Sequence, residues 1–265
     1  RIELFKENPP IMQLSDGSTE ILYDEKSPLY FFLDRSNRIN VTNTTTGRNY
    51  ILPTDIIAAS LVAASPAGEK LVVRTSEGAG IVDINTSKIS LVPRSILKNF
   101  SSAAWDLYDP DVLWILQQRI LRPFNIATNQ WEQIRYADVD SFFIGQNEVT
   151  ILRRKNELSE IQQFSFISQT PHWTRTIPTD DSLSILAADN DHVTIAGKGS
   201  IWLVNVTMNE QPRRFDATLA RWRDSRLLLA NEFEISIYHA ESQTQQLIDR
   251  TAQTIDAVTW HPSGN

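Results

Sequence analysis

Residues Val62 to Val92 read VAASPAGEKLVVRTSEGAGIVDINTSKISLV, and this stretch decides the fold because degraded copies of its pattern recur on both sides. Four short runs suited to strands make up the unit: Ser60 to Ala64, Leu71 to Arg74, Gly80 to Ile84 and Ile89 to Val92. The joints between them are Ser65-Pro66-Ala67-Gly68, Ser76-Glu77-Gly78 and Asn85-Thr86-Ser87-Lys88. Proline pre-sets φ at such joints, and glycine, asparagine and serine accept tight turns. Four apolar runs with three tight joints predict a four-stranded antiparallel meander.

Working outward, the copies span about residues 19–53, 56–93, 102–135, 138–178, 182–215 and 218–249, with a partial one at 254–265. Residues 1–14, broken by Asn8-Pro9-Pro10, read as edge strands or a linker. Matching positions in the last run of each copy, Leu52, Val92, Ile134, Ile177, Phe215 and Ile248, are 40, 42, 43, 38 and 33 residues apart. A period near forty marks a propeller blade. Residue types keep register with that reading. First runs are small, as in Ala58-Ala59-Ser60, Ser102-Ala103-Ala104 and Ala187-Ala188, which suits strands crowded around an axis. Second runs are continuously apolar, as in Leu29 to Leu33, Val112 to Leu116 and Leu227 to Ala230, which suits strands covered on both faces. Third runs begin to alternate, and last runs are the most polar.

Helical spacing is nearly absent; Arg153 to Gln163 fits a hairpin around Lys155 to Ser159 better than a helix. The fold class expected is therefore all-β: a β-propeller of four-stranded antiparallel blades, six recognisable copies plus a partial one, with seven blades favoured. A pair of two-sheet sandwiches is the competing arrangement, and the repeat speaks against it.

Composition bounds the function. The chain has 265 residues, no cysteine and a formal net charge of -7, with its basic residues dispersed. Disulfides, thiolate nucleophiles and Cys-based zinc sites are thereby excluded, and no broad phosphate-binding face is announced, so nucleic acid is not an expected partner. No apolar run reaches the roughly 18 to 20 residues of a spanning helix, so this stretch is not expected to insert in a membrane. Arg1 at the start and a turn just before Asn265 read as a piece of a longer protein.

The turn Ser65-Pro66-Ala67-Gly68-Glu69-Lys70-Leu71 and the fragment Val258-Thr259-Trp260-His261-Pro262-Ser263-Gly264 resemble the SPDGxxL and WSPDG turns of TolB-type, WD40-like propeller repeats. Ile81-Val82-Asp83-Ile84-Asn85-Thr86 is similar to the strand and turn that follow in those repeats. Other repeat signatures differ: Trp105-Asp106 sits in a first run instead of closing a third, no Gly-His pair occurs, and Ser15-Asp16-Gly17-Ser18 does not match a sialidase Asp-box. The resemblance implies a bacterial propeller module in a larger cell-envelope or surface protein, and hence an extracytoplasmic setting.

Catalytic constellations are not evident in the sequence. The histidines, His172, His192, His239 and His261, fall in different copies with no metal-ligand spacing. Gly197-Lys198-Gly199-Ser200 reads as a hairpin turn and not a phosphate loop, and no GxSxG is present. Carboxylate pairs such as Asp180-Asp181, Asp106 with Asp109, and Asp138 with Asp140 form no calcium-loop pattern. No cofactor, metal or catalytic residue is expected. The partner-binding candidates are Trp105, Arg221, Trp222, Arg223, Trp260 and His261, in or beside first runs whose ends ring the axis; tryptophan and arginine are enriched among residues that dominate interfaces. Wedging between blades is the alternative role for these tryptophans. The function expected is a non-catalytic scaffold for a protein or glycan partner, and the alternative is the propeller domain of a peptidase or glycosidase.

Overall fold

The computed structural model describes residues 21–23, 27–34, 36–43, 45–53, 58, 60–76, 78–91, 100–166, 168, 170–178, 183–189, 191–208, 210–223, 225–255 and 258. They build six four-stranded antiparallel sheets, each a meander of consecutive strands, in a chain whose two compact units meet in sequence at Ala137 and Asp138. The sheets are the blades of an all-β propeller fold.

In the first unit, blade 1 holds β1 (Ile21–Tyr23), β2 (Leu29–Leu33), β3 (Ile39–Asn43) and β4 (Arg48–Ile51). Blade 2, the stretch quoted above, holds β5 (Ser60–Ala64), β6 (Lys70–Thr75), β7 (Gly78–Asp83) and β8 (Ile89–Leu91), and blade 3 holds β9 (Phe100–Trp105), β10 (Val112–Gln117), β11 (Ile120–Asn125) and β12 (Gln130–Trp131). Two clusters fill the space between these sheets. Phe31, Val41, Leu61, Leu71 and Val82 join blades 1 and 2; Val72, Ile81, Ala103, Leu113 and Phe124 join blades 2 and 3.

In the second unit, blade 4 holds β13 (Ser141–Ile144), β14 (Glu148–Arg154), β15 (Leu158–Ser165) and β16 (Trp173–Pro178). Blade 5 holds β17 (Ser184–Ala188), β18 (His192–Gly197), β19 (Ser200–Asn205) and β20 (Arg213–Phe215), and blade 6 holds β21 (Leu219–Arg223), β22 (Arg226–Ala230), β23 (Glu234–His239) and β24 (Thr244–Arg250). Ile161, Ile185, Val193 and Val204 join blades 4 and 5; Ile201, Leu203, Ala220, Leu227 and Tyr238 join blades 5 and 6.

The position of a strand in its blade sets its composition. Second strands lie between two sheets, and Val112 to Leu116 and Leu227 to Ala230 are buried throughout. Fully burying each such aliphatic side chain contributes about 1.5–3 kcal/mol, so these runs carry no polar alternation. Last strands face water on their free edge; all of β4 and most of β24 are exposed. Lys155 N–H donates to Leu158 O (3.1 Å), which closes the hairpin expected there instead of a helix.

Two expectations are corrected. The seven-blade arrangement is replaced by six blades, because each of the six sheets takes all four strands from one continuous stretch. After β24 the chain returns to its own sheet: Thr251 N–H donates to Phe233 O (2.9 Å) and Ile255 N–H to Glu232 O (3.0 Å). Residues 1–14 and nearly all of the partial copy lie outside the described residues. In blade 3 the last strand is also shorter than the run Trp131 to Arg135. Pro123 in β11 accepts a hydrogen bond from Glu132 N–H (3.0 Å) but has no N–H to return, so the ladder stops. It resumes only as a single bridge between Leu121 and Tyr136.

Candidate functional site

In a meander, the turn after the first strand and the turn after the third lie at the same end of the blade. At that end of blades 5 and 6, within the second unit, the sequence candidates meet several residues that were not singled out. Trp222, near the end of β21, donates its indole N–H to Asp189 Oδ2 at 2.6 Å. Asp189 sits in the turn from β17 to β18, where its Oδ1 accepts the backbone N–H of Asp191 (2.8 Å) and of His192 (2.6 Å). The carboxylate is thus fixed by its own turn before it holds the tryptophan. The His192 ring lies 4.9 Å from the Trp222 ring at an interplanar angle of 39°, and Nδ1 is 3.9 Å from Asp189 Oδ1.

Trp222 packs on the cluster joining blades 5 and 6 and is half-buried. Its neighbours alternate to the other face, as strand geometry requires. Arg221 is exposed, with Nη1 on Ala220 O at 3.0 Å. Arg223 is half-buried and stands directly opposite Arg226, itself opposite His239.

Beside this group opens a cleft of about 330 Å³, lined by residues that include His192, Leu203, Glu210, Gln211, Arg213 and Tyr238. Arg213 forms one wall. Its guanidinium carbon is 4.6 Å from the Tyr238 ring centroid and 5.6 Å from that of Phe215, and Nη1 donates to Tyr238 OH (3.2 Å) and Gln243 O (3.4 Å). Stacking and hydrogen bonding together set its plane. The loop from β19 to β20 leads directly into that wall. Asn205 Oδ1 accepts from the backbone N–H groups of Thr207 (3.1 Å) and Met208 (2.9 Å), and Arg175 Nη2 from blade 4 reaches Val206 O at 2.7 Å. The first residues of this loop, Val206 to Met208, are therefore held by the Asn205 side chain and by the neighbouring blade.

Trp105 is placed differently. It is 3% exposed, its indole N–H donates to Ala63 O (3.3 Å), and Lys70 Nζ lies 5.9 Å from its ring centroid. Lys70 in turn pairs with Asp111 at 2.7 Å. Trp105 is accordingly a wedge between blades 2 and 3, closed off from a partner. Trp260 and His261 lie outside the described residues. Residue type and spacing do not single out Asp189, Glu210 or Arg213, and His192 reads in the sequence as an isolated turn histidine. One signal was available: Asp189 follows the first strand of its copy just as Asp106 follows β9. Of the six described tryptophans, Trp105 and Trp114 are buried and the other four half-buried.

Six meander blades with inter-blade tryptophan wedges define a WD40-like β-propeller fold. The same fold is seen in a chain from a mitotic checkpoint complex, 14% identical, with a TM-score of 0.63 over 100% of this chain and 93% of that one. It is also seen in U3-55K (11% identity, TM-score 0.65, 96% and 88% covered) and in a eukaryotic initiation factor structure (12%, 0.56, 98% and 83%). At these identities the likeness is one of fold. No family model and no curated protein matches the sequence. Among the described residues, no helix is long and apolar enough to cross a membrane.

Proposed function

We propose that this chain is a non-catalytic propeller scaffold, and that it binds a protein partner at the end of blades 5 and 6 where Trp222, Arg221 and Arg223 stand beside the Arg213 cleft. The observation that carries this reading is Trp222 itself: half-buried, hydrogen-bonded by a carboxylate that its own turn already fixes, and next to an open cleft. An aromatic side chain held in this way loses little further freedom when a partner covers it, and tryptophan flanked by arginine is the composition of interface hot spots. The neighbours in fold, drawn in part from a checkpoint complex and an initiation factor, are in keeping with a protein partner.

Site-specific photo-crosslinking tests it. A benzoylphenylalanine at Gln211, exposed on the cleft rim, is expected to yield a discrete protein adduct in the native cell. The same group at Glu157, exposed in the turn between β14 and β15 at the other end of blade 4, is expected to yield none. Adducts from Glu157 alone, or from neither position, contradict the proposal.

An envelope or surface setting, in which the chain is one module of a larger protein, belongs to the same proposal and rests on the likeness of the Ser65 to Leu71 turn to TolB-type repeats. Protease treatment of intact cells, with and without opening of the outer permeability barrier, decides it. Digestion without entry to the cytoplasm is the expected result, and protection until the cytoplasm is opened contradicts it.

A further inference from the structure

Pro123 stops the ladder of blade 3, and the way the chain re-enters it sets two arginines side by side. Leu121 and Tyr136 form the bridge at which pairing resumes. One step along the same antiparallel register, Arg122 and Arg135 occupy neighbouring positions across the strands, on the side that carries Phe124 and Trp131. That side packs on blade 2. The Arg122 guanidinium carbon lies 4.1 Å from the Trp131 ring centroid, and Phe124 braces the same indole edge-on at 5.2 Å. Arg122 is half-buried and Arg135 exposed, and neither makes a hydrogen bond or ion pair among the described residues. Stacking fixes Arg122, but like charges at neighbouring sheet positions repel each other.

The described charges of blades 2 and 3 separate by end. Glu69, Asp83, Asp106, Asp109 and Asp111 all sit at or beside the turns after the first and third strands, where Lys70 and Lys88 also lie. Toward the opposite end, Arg74, Arg119, Arg122 and Arg135 stand against Glu132 alone among the described residues. Arg74 is committed: it stacks on Phe100 at 4.3 Å and donates to Phe100 O (3.3 Å) and Ser101 O (3.4 Å). Arg119 is exposed at the tip of the turn from β10 to β11 and adds to the same positive field. Arg122 and Arg135 therefore form a positive surface that no described carboxylate offsets.

We infer that the face of blade 3 at Arg122 and Arg135 takes up a short acidic segment of a partner protein. Each guanidinium presents a carboxylate with parallel N–H donors, and the Trp131 stack holds one of the two forks in place before the partner arrives. Two arginines match two neighbouring acidic side chains. A nucleic acid calls for a broad basic face, and the chain's -7 repels such a polyanion at long range. This accessory contact lies in the first compact unit and stands independently of the proposed site on blades 5 and 6.

The Trp131 indole resonance of the full chain is followed by NMR, at constant ionic strength, while acetyl-Gly-Glu-Glu-Gly-amide is added. The glutamine and lysine counterparts serve as controls, and a thymidylate oligomer of matching charge tests for nucleic acid. Saturable shifts are expected with the glutamate peptide and not with the controls. Arg135→Gln, at an exposed position that leaves the Trp131 stack in place, is expected to weaken that binding about threefold, the scale of an exposed ion pair. The same variant is expected to raise the urea midpoint at low ionic strength, because it removes repulsion with Arg122, whereas an arginine kept for structure would lower it on removal. Silence with the glutamate peptide, equal shifts from a control peptide, or an affinity unchanged by Arg135→Gln overturns the inference. A lowered midpoint in that variant overturns it as well, and so does tighter binding of the thymidylate oligomer, which would assign the pair to nucleic acid.

Discussion

Asp106→Ala is expected to lower the stability of the chain by about 2–4 kcal/mol, because it orphans a buried indole N–H together with two turn amides. Asp106 is 7% exposed and closes β9. Its Oδ1 accepts from Tyr108 N–H (2.9 Å) and Asp109 N–H (3.1 Å), and its Oδ2 accepts from Trp114 Nε1 (3.1 Å). The turn amides are only part-buried and can turn to water. Trp114 is 2% exposed and cannot. Most of the loss should therefore trace to the indole, and a double-mutant cycle separates it. In a Trp114→Phe background, where that donor is gone, Asp106→Ala is expected to cost at least about 1 kcal/mol less in urea unfolding. An equal cost in both backgrounds would mean that Asp106 acts only through its turn. The comparison belongs near neutral pH. Tyr136, stacked 6.4 Å from Trp114, has its phenol pushed up to about 12 by burial. A folded value above the unfolded one near 10 gives stability that is complete below that unfolded value and is lost as pH rises through the folded one.

Gly68→Ala is the second large effect, expected to cost about 2–5 kcal/mol. Gly68 has φ of 71° in the Ser65-Pro66-Ala67-Gly68 turn, and a Cβ there would collide with Ser27 Oγ and come within 3.1 Å of Leu29 Cδ1. Ser27 is 4% exposed, and its Oγ is held by Leu29 N–H at 3.1 Å, so it has little room to move. A left-handed backbone costs a residue with Cβ about 1–2 kcal/mol, and overpacking adds about 1–3 kcal/mol. Gly47 supplies the control, since φ is 68° but nothing lies within 4 Å of its Cβ position. Gly47→Ala should cost only the backbone portion, about 1–2 kcal/mol. Equal losses at the two glycines would remove the packing of blade 1 against this turn from the explanation.

These two sites show what could be read in advance and what could not. The turn at Gly68 was legible because proline and glycine announce it locally, and Ile81-Val82-Asp83-Ile84-Asn85-Thr86 announced the next one. There Thr86 N–H and Oγ1–H both reach Asp83 Oδ1, at 2.7 and 2.8 Å, and hold that carboxyl below its ordinary range. The strands of blades 2, 5 and 6 were legible for a similar reason, since burial on two faces, one face or none writes itself into hydropathy. The seating of Gly68 on Ser27 was not legible, because the two residues lie in different blades. Trp105 and Trp222 show the same limit. Both lie at or near the end of a first strand and both reach back to the preceding blade. One meets a strand carbonyl and is sealed, while the other meets a turn carboxylate and stays half open. Blade number failed because the partial copy at 254–265 repeats the opening of a unit, and a sequence period does not count completed sheets.

The central claim is that specific function resides at the cleft end of blades 5 and 6, while the sharp turns of blades 2 and 3 serve stability. The most direct measurement is the affinity of the protein captured from Gln211, determined by calorimetry at a temperature where every variant is folded. Trp222→Ala and Arg221→Ala are expected to weaken binding at least about tenfold, as interface anchors do, and Asp106→Ala to leave it unchanged despite its greater cost in stability. Unchanged affinity in Trp222→Ala, or an equal loss in Asp106→Ala, would contradict the account.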